Sequence, residues 1–294
     1  KILESRITNS VIVSDRQQDK YYQKITNLAK TMRSFHNWIK SSLIYTYAKV
    51  LKNLRDSKES RSSVLDFGCG RGGDLLKYFH ARVGYYVGID PSYDDLHAKT
   101  NGAISRYNDS KKKFPGFGKI IYLQANPSYL LNEESQKKVF PSMSKENLNE
   151  FKEVFNKPNV KFDVINASFS IHYLFSDQNS VDNLIKNVDK FLKIGGFVIC
   201  ELFDAERVIK LLNGNDSYTS YYTDDDGKKV KLYELVKKFP GNYNNKPGNG
   251  IDVFLGWIMD EGTYIEEYLV SKELLIDTMK KAGCELVDTD LFSN

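Results

Sequence analysis

Short apolar runs punctuate this chain, and the segments between them carry a different rhythm. VLDF (64–67), YYVGID (85–90), IIYLQAN (120–126), FDVINASF (162–169) and FVICELF (197–203) are nearly continuous in apolar residues. Such runs, unlike strict alternation, belong to strands covered on both faces. Between them lie helical patterns: DLLKYFHA, a stretch from about Asp94 to Tyr107, a polar stretch holding Pro141 and Pro158, and SVDNLIKNVDKFL before the turn KIGG. This alternation predicts an α/β architecture, a parallel sheet with helices on both sides. Upstream, KTMRSFHNWIKSSLIYTYAKVLKNL repeats Phe35, Trp38, Ile39, Leu43, Tyr47, Val50 and Leu51 at helical spacing, and RDSKESRSS follows as a polar loop. The rhythm breaks near 213–262, which is polar and rich in Asn, Gly, Asp and Tyr, and reads as an insertion of turns or a hairpin. A helix SKELLIDTMKKAG and a strand ELVDTDLF close the pattern. No repeat of solenoid period is present.

The turn after the first strand carries the first chemistry. In VLDFGCGRGGDL, Gly68, Gly70, Gly72 and Gly73 clear the backbone of side chains, so it can bend against a ligand and enter a helix whose N–H groups face it. Asp90 ends the next strand, placed to accept hydrogen bonds from a ribose. Dinucleotide and S-adenosylmethionine (SAM) enzymes share this arrangement. Asp66, in the strand before the first glycine, can face the ammonium of a methionine moiety. LKIGGFVI resembles a turn common in class I methyltransferases, and no residue set suits hydride transfer. SAM is the expected cofactor.

Composition narrows little more. With 294 residues, 41% hydrophobic and 13% aromatic, the chain suits one large domain or one with a sizeable insertion. No apolar run approaches the roughly 20 residues of a membrane span, and no signal peptide is visible. Cys69, Cys200 and Cys284 are scattered and odd in number, which fits a reducing compartment better than disulfides or a metal site. The net charge of +4 permits a polyanionic partner without demonstrating one. Because it opens on Lys1, the chain is expected to be a piece of something longer.

At MRSFHNWIKSSLI, followed by VLDFGCGRGGDLLKY, SFSIHYLF and EEYLV, the sequence resembles the mRNA cap guanine-N-7 methyltransferases. The resemblance extends over about Tyr21 to Phe292. It is most like the methyltransferase domains of multifunctional capping enzymes from poxvirus- or asfarvirus-type cytoplasmic DNA viruses. It implies a class I SAM-dependent, Rossmann-like fold with a mostly parallel, seven-stranded-type sheet. Residues 1–55 would form an N-terminal helical extension contributing to the cofactor site. Residues 56–294 would be the methyltransferase domain, with a cap-pocket insertion at about 205–267. The implied cofactor is S-adenosyl-L-methionine, leaving as S-adenosyl-L-homocysteine, and the implied partner is the capped mRNA 5′ end, GpppN. Also implied are upstream triphosphatase and guanylyltransferase domains in one polypeptide, a host-cytoplasmic or virion location and no membrane. Whether a stimulatory subunit joins, as for poxvirus relatives, stays open.

By that resemblance Lys40 meets the SAM carboxylate, Asp66, Gly68 and Gly70 surround the methionine part, and Asp90 takes the ribose. Arg71 and Asp74 stand at positions used near the cap's phosphates and ribose, and Arg106 is directed at its phosphates. His172 and Tyr173 match the pair at the cap pocket, with Phe169 on the same wall and Asn37 and Phe203 close to the cap. Tyr173 also borders the cofactor. Glu267, rather than its neighbour Glu266, matches the carboxylate that accepts from guanine N-1–H and the exocyclic amine. Asn126 replaces an aspartate that often contacts the adenine amine, and Ser168 replaces a glutamine near the cofactor. The chain ends at Asn294, before the family's last hairpin and its cap-pocket tyrosine.

Guanine N-7 has a lone pair and no proton, so in-line displacement needs no general base; His172, Tyr173 and Glu267 are expected to act by positioning. No metal-ligand cluster is visible. KKKFPGFGK (111–119), with Lys111, Lys112 and Lys113, reads first as a solvated loop and second as an RNA path. Two alternatives remain: a methyltransferase of another RNA site or a small molecule, and a non-catalytic, methyltransferase-like RNA-binding subunit.

Overall fold

The computed structural model describes residues 28–48, 61–224 and 226–291. Five strands, β1 (Ser63–Phe67), β2 (Tyr85–Asp90), β3 (Lys119–Gln124), β4 (Phe162–Ser168) and β5 (Leu192–Glu201), pair in the order β3-β2-β1-β4-β5. Every pairing is parallel. The order reverses between β1 and β4, so a crevice opens beyond their carboxyl ends, where open α/β sheets bind ligands. This is the class I arrangement expected from the sequence. Of the seven-stranded type, five strands form this sheet among the described residues. Residues 285–291, expected as a strand, have no regular structure, and Leu286 and Val287 are exposed. No strand among the described residues pairs with them.

The helices are α1 (Lys30–Leu43), running on as a π-helical turn at Ile44–Ala48, α2 (Leu75–His80), α3 (Tyr93–His97), α4 (Ala103–Lys113), α5 (Glu133–Val139) and α6 (Lys145–Phe155). After β4 come a 3₁₀ turn (Ile171–Phe175), α7 (Gln178–Phe191), α8 (Ala205–Leu212) and α9 (Lys272–Lys281). Side-chain caps fix several starts: Ser92, Asn132, Ser144, Asp177 and Ser271 each accept from a backbone N–H three residues on. The helix expected over 94–107 is two helices. Asn101 takes a left-handed φ of 65°, and Gly102 lies so close to Ala98 O that a Cβ there would sit 2.5 Å from it.

Strand alternation sorts the sheet into two faces. Leu65, Phe67, Ile89, Phe162 and Ile165 pack under α6 and α7, with Phe151, Phe155, Leu184 and Phe191. Val64, Tyr86, Val164 and Ile199 face the other way, against Ile44, Ala48, Tyr78 and Leu96. Asp66 therefore shares the face of Val64, and Glu201 that of Ile199.

The polar stretch is neither a run of turns nor a single hairpin. Strands β6 (Ser217–Thr223), β7 (Lys229–Lys237), β8 (Gly250–Leu255) and β9 (Ile265–Tyr268) form a four-stranded antiparallel sheet. Its apolar side (Leu235, Ile251, Val253, Ile265) closes on Val208 and Leu212 of α8. The composition hid this, because the strands lie among Asn-, Gly- and Lys-rich turns. The two sheets are joined by a parallel bridge between Asp204 and Val270 and by Gly248 N–H donating to Phe175 O at 2.9 Å.

The apolar stripe of α1 is only half-buried: Met32 packs against the core of the second sheet and Leu43 against that of the Val64 face, but none of its residues is fully buried, and Trp38 is 62% exposed. The stripe also walls a cleft. Val50 and Leu51 lie outside the described residues.

Candidate active site

A continuous cleft of about 2880 Å³ runs from the glycine turn to the second sheet. Drug-sized ligands occupy roughly 300–1,000 Å³, so two ligands fit side by side. Asn37, Lys40, Gly68, Gly70, Asp74, Asp90, Arg106, Asn126 and Ser168 line it, as do Phe169, His172, Tyr173, Phe203 and Glu267. Asp66 and Arg71 do not reach its wall.

The glycine turn makes room more than it supplies donors. Gly68 N–H and Cys69 N–H donate to Ile89 O, Gly72 N–H to Cys69 O, and Gly70 N–H to Asp90 Oδ2 at 2.7 Å. Gly68 has φ 76°, and a Cβ there would lie 2.6 Å from the Ser170 Cβ. Glycine is required at that position. Asp90 accepts a second backbone N–H, from Ser92, at its other oxygen (2.9 Å). Each oxygen keeps a lone pair for a further donor. Burial pushes the carboxyl up to about 7, against the pull of those two N–H groups.

Asp66 is spoken for. It accepts from Tyr86 Oη (2.7 Å), Tyr78 Oη (3.3 Å) and Asn166 Nδ2 (2.7 Å), and burial raises its pKa to about 6. The expectation that it faces a methionine ammonium is therefore corrected: its side chain turns back under α2. Asp74 is clamped by Lys40 Nζ at 2.8 Å and Lys77 Nζ at 2.6 Å, and Lys77 also donates to Asn37 Oδ1. Desolvation opposes this, yet the two ammonium groups hold the Asp74 carboxyl below its ordinary value. Asn126 Oδ1 accepts from Ser128 N–H, and its backbone is held by Gln136, so the amide is presented by a fixed turn.

At the other end of the cleft the two sheets meet. Glu267, on β9, is 3% exposed and accepts from Tyr173 Oη at 3.3 Å. His172 Nε2 lies 3.3 Å from Glu267 Oε2 without the alignment of a hydrogen bond, so both ring nitrogens and Oε2 have no partner. Burial pushes Glu267 up to about 8 and His172 down to about 3. At neutral pH this is a protonated acid beside a neutral imidazole, not an ion pair. Glu266 points the opposite way and meets Lys238 at 2.9 Å. The His172 ring packs on Tyr173 (4.2 Å between centroids) and stands 6.4 Å from Phe203. Phe169, just beyond β4, has φ 52°, a conformation that costs about 1–3 kcal/mol for a bulky residue and clusters at functional sites. Its ring meets His36 at 5.2 Å and the Lys40 ammonium at 5.9 Å.

Arg71 turns from the cleft to Asp95 (Nε–Oδ1 2.7 Å). Arg106 stands exposed at the rim, whereas Lys111–Lys113 occupy the far end of α4, toward the amino ends of the strands. The three lysines are thus the last turn of a helix rather than part of a loop, and their placement favours solvated charges over an RNA path.

The model of the mRNA (guanine-N(7))-methyltransferase domain matches residues 8–294. The chain belongs to that family. A "Probable mRNA-capping enzyme" of Acanthamoeba polyphaga mimivirus is 39% identical over 283 residues, covering 95% of this chain and 23% of that protein. The mRNA cap guanine-N(7) methyltransferase of Cryptococcus neoformans is 27% identical, covering 87% of this chain and 35% of that protein. An Arabidopsis thaliana enzyme of the same name is 29% identical, covering 86% and 66%. The chain thus spans between 23% and 66% of the length of these relatives.

The family's cofactor is S-adenosylmethionine, and the residues present fit it. Asp90 has lone pairs to spare, Lys40 offers a cation, the glycine turn leaves room, and a buried carboxylate that the sequence reading passed over, Glu201, awaits a donor. The signal for Glu201 was present: FVICE, like YYVGID, is an apolar run that ends on an acid.

Proposed function

We propose that this domain transfers a methyl group to N-7 of the cap guanine of GpppN-RNA. The observation that carries the reading is the Glu267–His172 pair: a buried carboxylate oxygen and a buried imidazole, each without a partner, on a wall of aromatic rings. Unpaired buried polar groups each cost about 1–3 kcal/mol, so they imply a polar, flat ligand that satisfies them. Guanine presents N-1–H and the exocyclic amine side by side, a match for one carboxylate; adenine offers no such pair.

Bound S-adenosylmethionine supplies a methyl group on a positively charged sulfur. The chain's own residues then have no proton to move. Asp90 holds the ribose, Lys40 the amino-acid carboxylate and Asn126 the adenine edge, while the glycine turn admits the cofactor backbone closely. Tyr173 and Phe169 border both ligands, Asn37 and Phe203 flank the base, and Arg106 and the Lys40–Asp74–Lys77 cluster stand toward the cap's phosphates and ribose. Arg71 acts from behind, by tying the glycine turn to Asp95. Glu267, ionised when it accepts from guanine, also stabilises the cationic methylated base. Catalysis is alignment in a suited field.

The mimivirus relative supports a further step: this domain is the methyltransferase part of a viral-type, multifunctional, RNA-binding capping polypeptide acting in the cytoplasm, with residues 1–55 as its helical extension and 205–267 as its cap-pocket insertion. RNA capped with 7-deazaguanosine tests the acceptor atom. It is expected to compete with GpppN-RNA for binding at similar affinity yet accept no methyl group. Methylation of the 7-deaza cap would place the acceptor elsewhere.

A further inference from the structure

The amino-acid end of the cofactor carries an ammonium and a carboxylate together. In a buried cleft each requires a partner of opposite sign. Lys40, which meets Asp74 beside the glycine turn, is a cation on the cleft wall there. The acid is less obvious, because most carboxylates near the glycine turn are already engaged. Asp66 has three donors and faces away from the cleft. Asp74 has two lysines, Asp90 two backbone N–H groups, and Asp95 the Arg71 guanidinium.

Glu201 is different. It ends β5, opposite Ser168 in register, is 4% exposed and lines the cleft, and neither of its oxygens has a hydrogen-bond partner. Among the described residues it is the only buried carboxylate with both oxygens in that state. The Ser168 hydroxyl beside it donates to Asn166 Oδ1. Burial is the main influence on it, pushing its pKa up to about 7. Ser168 and the Lys40 ammonium on α1 oppose this, while Asp74 before α2 and Asp66 on β1 reinforce it. An acid kept there without a donor costs stability, and a serine or glutamine would cost less.

The structure assigns to Glu201 the α-ammonium of the cofactor's amino-acid moiety, with Lys40 taking the carboxylate of the same group. This rests on the cofactor-site reading given above. It moves the acidic partner of the amine from β1, where the glycine motif suggests it, to the tip of β5. An ammonium carries three donors, so it can satisfy both Glu201 oxygens.

The test is calorimetric binding of two ligands: S-adenosylhomocysteine, and 4-(5′-adenosylthio)butanoate, the same molecule without its amine. The wild-type domain is expected to bind the first at least tenfold more tightly. Glu201→Gln should weaken S-adenosylhomocysteine at least tenfold and leave the deamino analogue within threefold. Removing a buried charge does not endanger folding, and the analogue serves as an internal control for the shape of the site. Equal weakening of both ligands, or none of either, overturns the assignment. An Asp90→Ala variant separates the two levels: if it too binds S-adenosylhomocysteine normally, the cofactor-site reading itself fails.

Discussion

Replacing Glu267 with glutamine is expected to lower kcat/KM for GpppN-RNA about 100-fold, corresponding to about 2.7 kcal/mol, while the domain stays folded. The carboxylate can accept from both guanine donors, whereas an amide keeps one acceptor and turns an N–H toward the other. Charge-assisted bonds contribute about 1.5–3 kcal/mol each, so losing one, with a repulsive contact added, accounts for the size. The same substitution should raise the melting temperature of the ligand-free domain, more at pH 8.5 than at pH 6.5. In the folded state Glu267 holds its proton to about pH 8, against 4.5 ordinarily. The folded chain therefore binds more protons across that interval, and stability falls as pH rises through it. Asp90 and Glu201, each at about 7, act in the same direction. His172, depressed to about 3, titrates on unfolding near 6.5 and loses stability only below that. Between pH 6.5 and 8.5 the wild type should thus lose melting temperature, and Glu267→Gln should lose less. An unchanged slope together with unchanged activity would remove Glu267 from the pocket.

Asp90→Ala is expected to weaken S-adenosylhomocysteine at least 100-fold. Two effects combine. The ribose loses an ionised acceptor, and Gly70 N–H and Ser92 N–H lose the oxygens that set the glycine turn against β2. The readout is thermal: saturating S-adenosylhomocysteine shifts the melting temperature of the wild type and leaves the variant unmoved. A variant with the same shift as the wild type would place the ribose elsewhere.

The main sheet was legible because its strands are buried on both faces, which forces unbroken apolar runs. Asp90 was legible for the same reason, an acid standing where such a run ends. Glu201 obeys the same rule at the end of FVICE, but no glycine turn drew attention to it. The second sheet was not legible: strands such as KVKLYELVK carry one apolar side, among turns whose composition outweighs it. The direction of Asp66 was also beyond the sequence, since it depends on Tyr78 and Tyr86 arriving from α2 and β2. Glu267 was chosen over Glu266 by resemblance alone; in the structure these adjacent strand positions face opposite ways, Glu266 to Lys238 and Glu267 to Tyr173.

The central claim is that a carboxylate-lined pocket between two sheets selects guanine for methylation. Incubating the domain with methyl-labelled S-adenosylmethionine and GpppN-capped, ApppN-capped or uncapped RNA tests it most directly. The account predicts label on the guanine cap alone, at N-7, with the adenine cap slower by about 1,000-fold or more, since a site built to pair two donors rejects a base lacking them. Label on ApppN-RNA or uncapped RNA at comparable rates, or none on GpppN-RNA from a folded domain that binds S-adenosylhomocysteine, would contradict it.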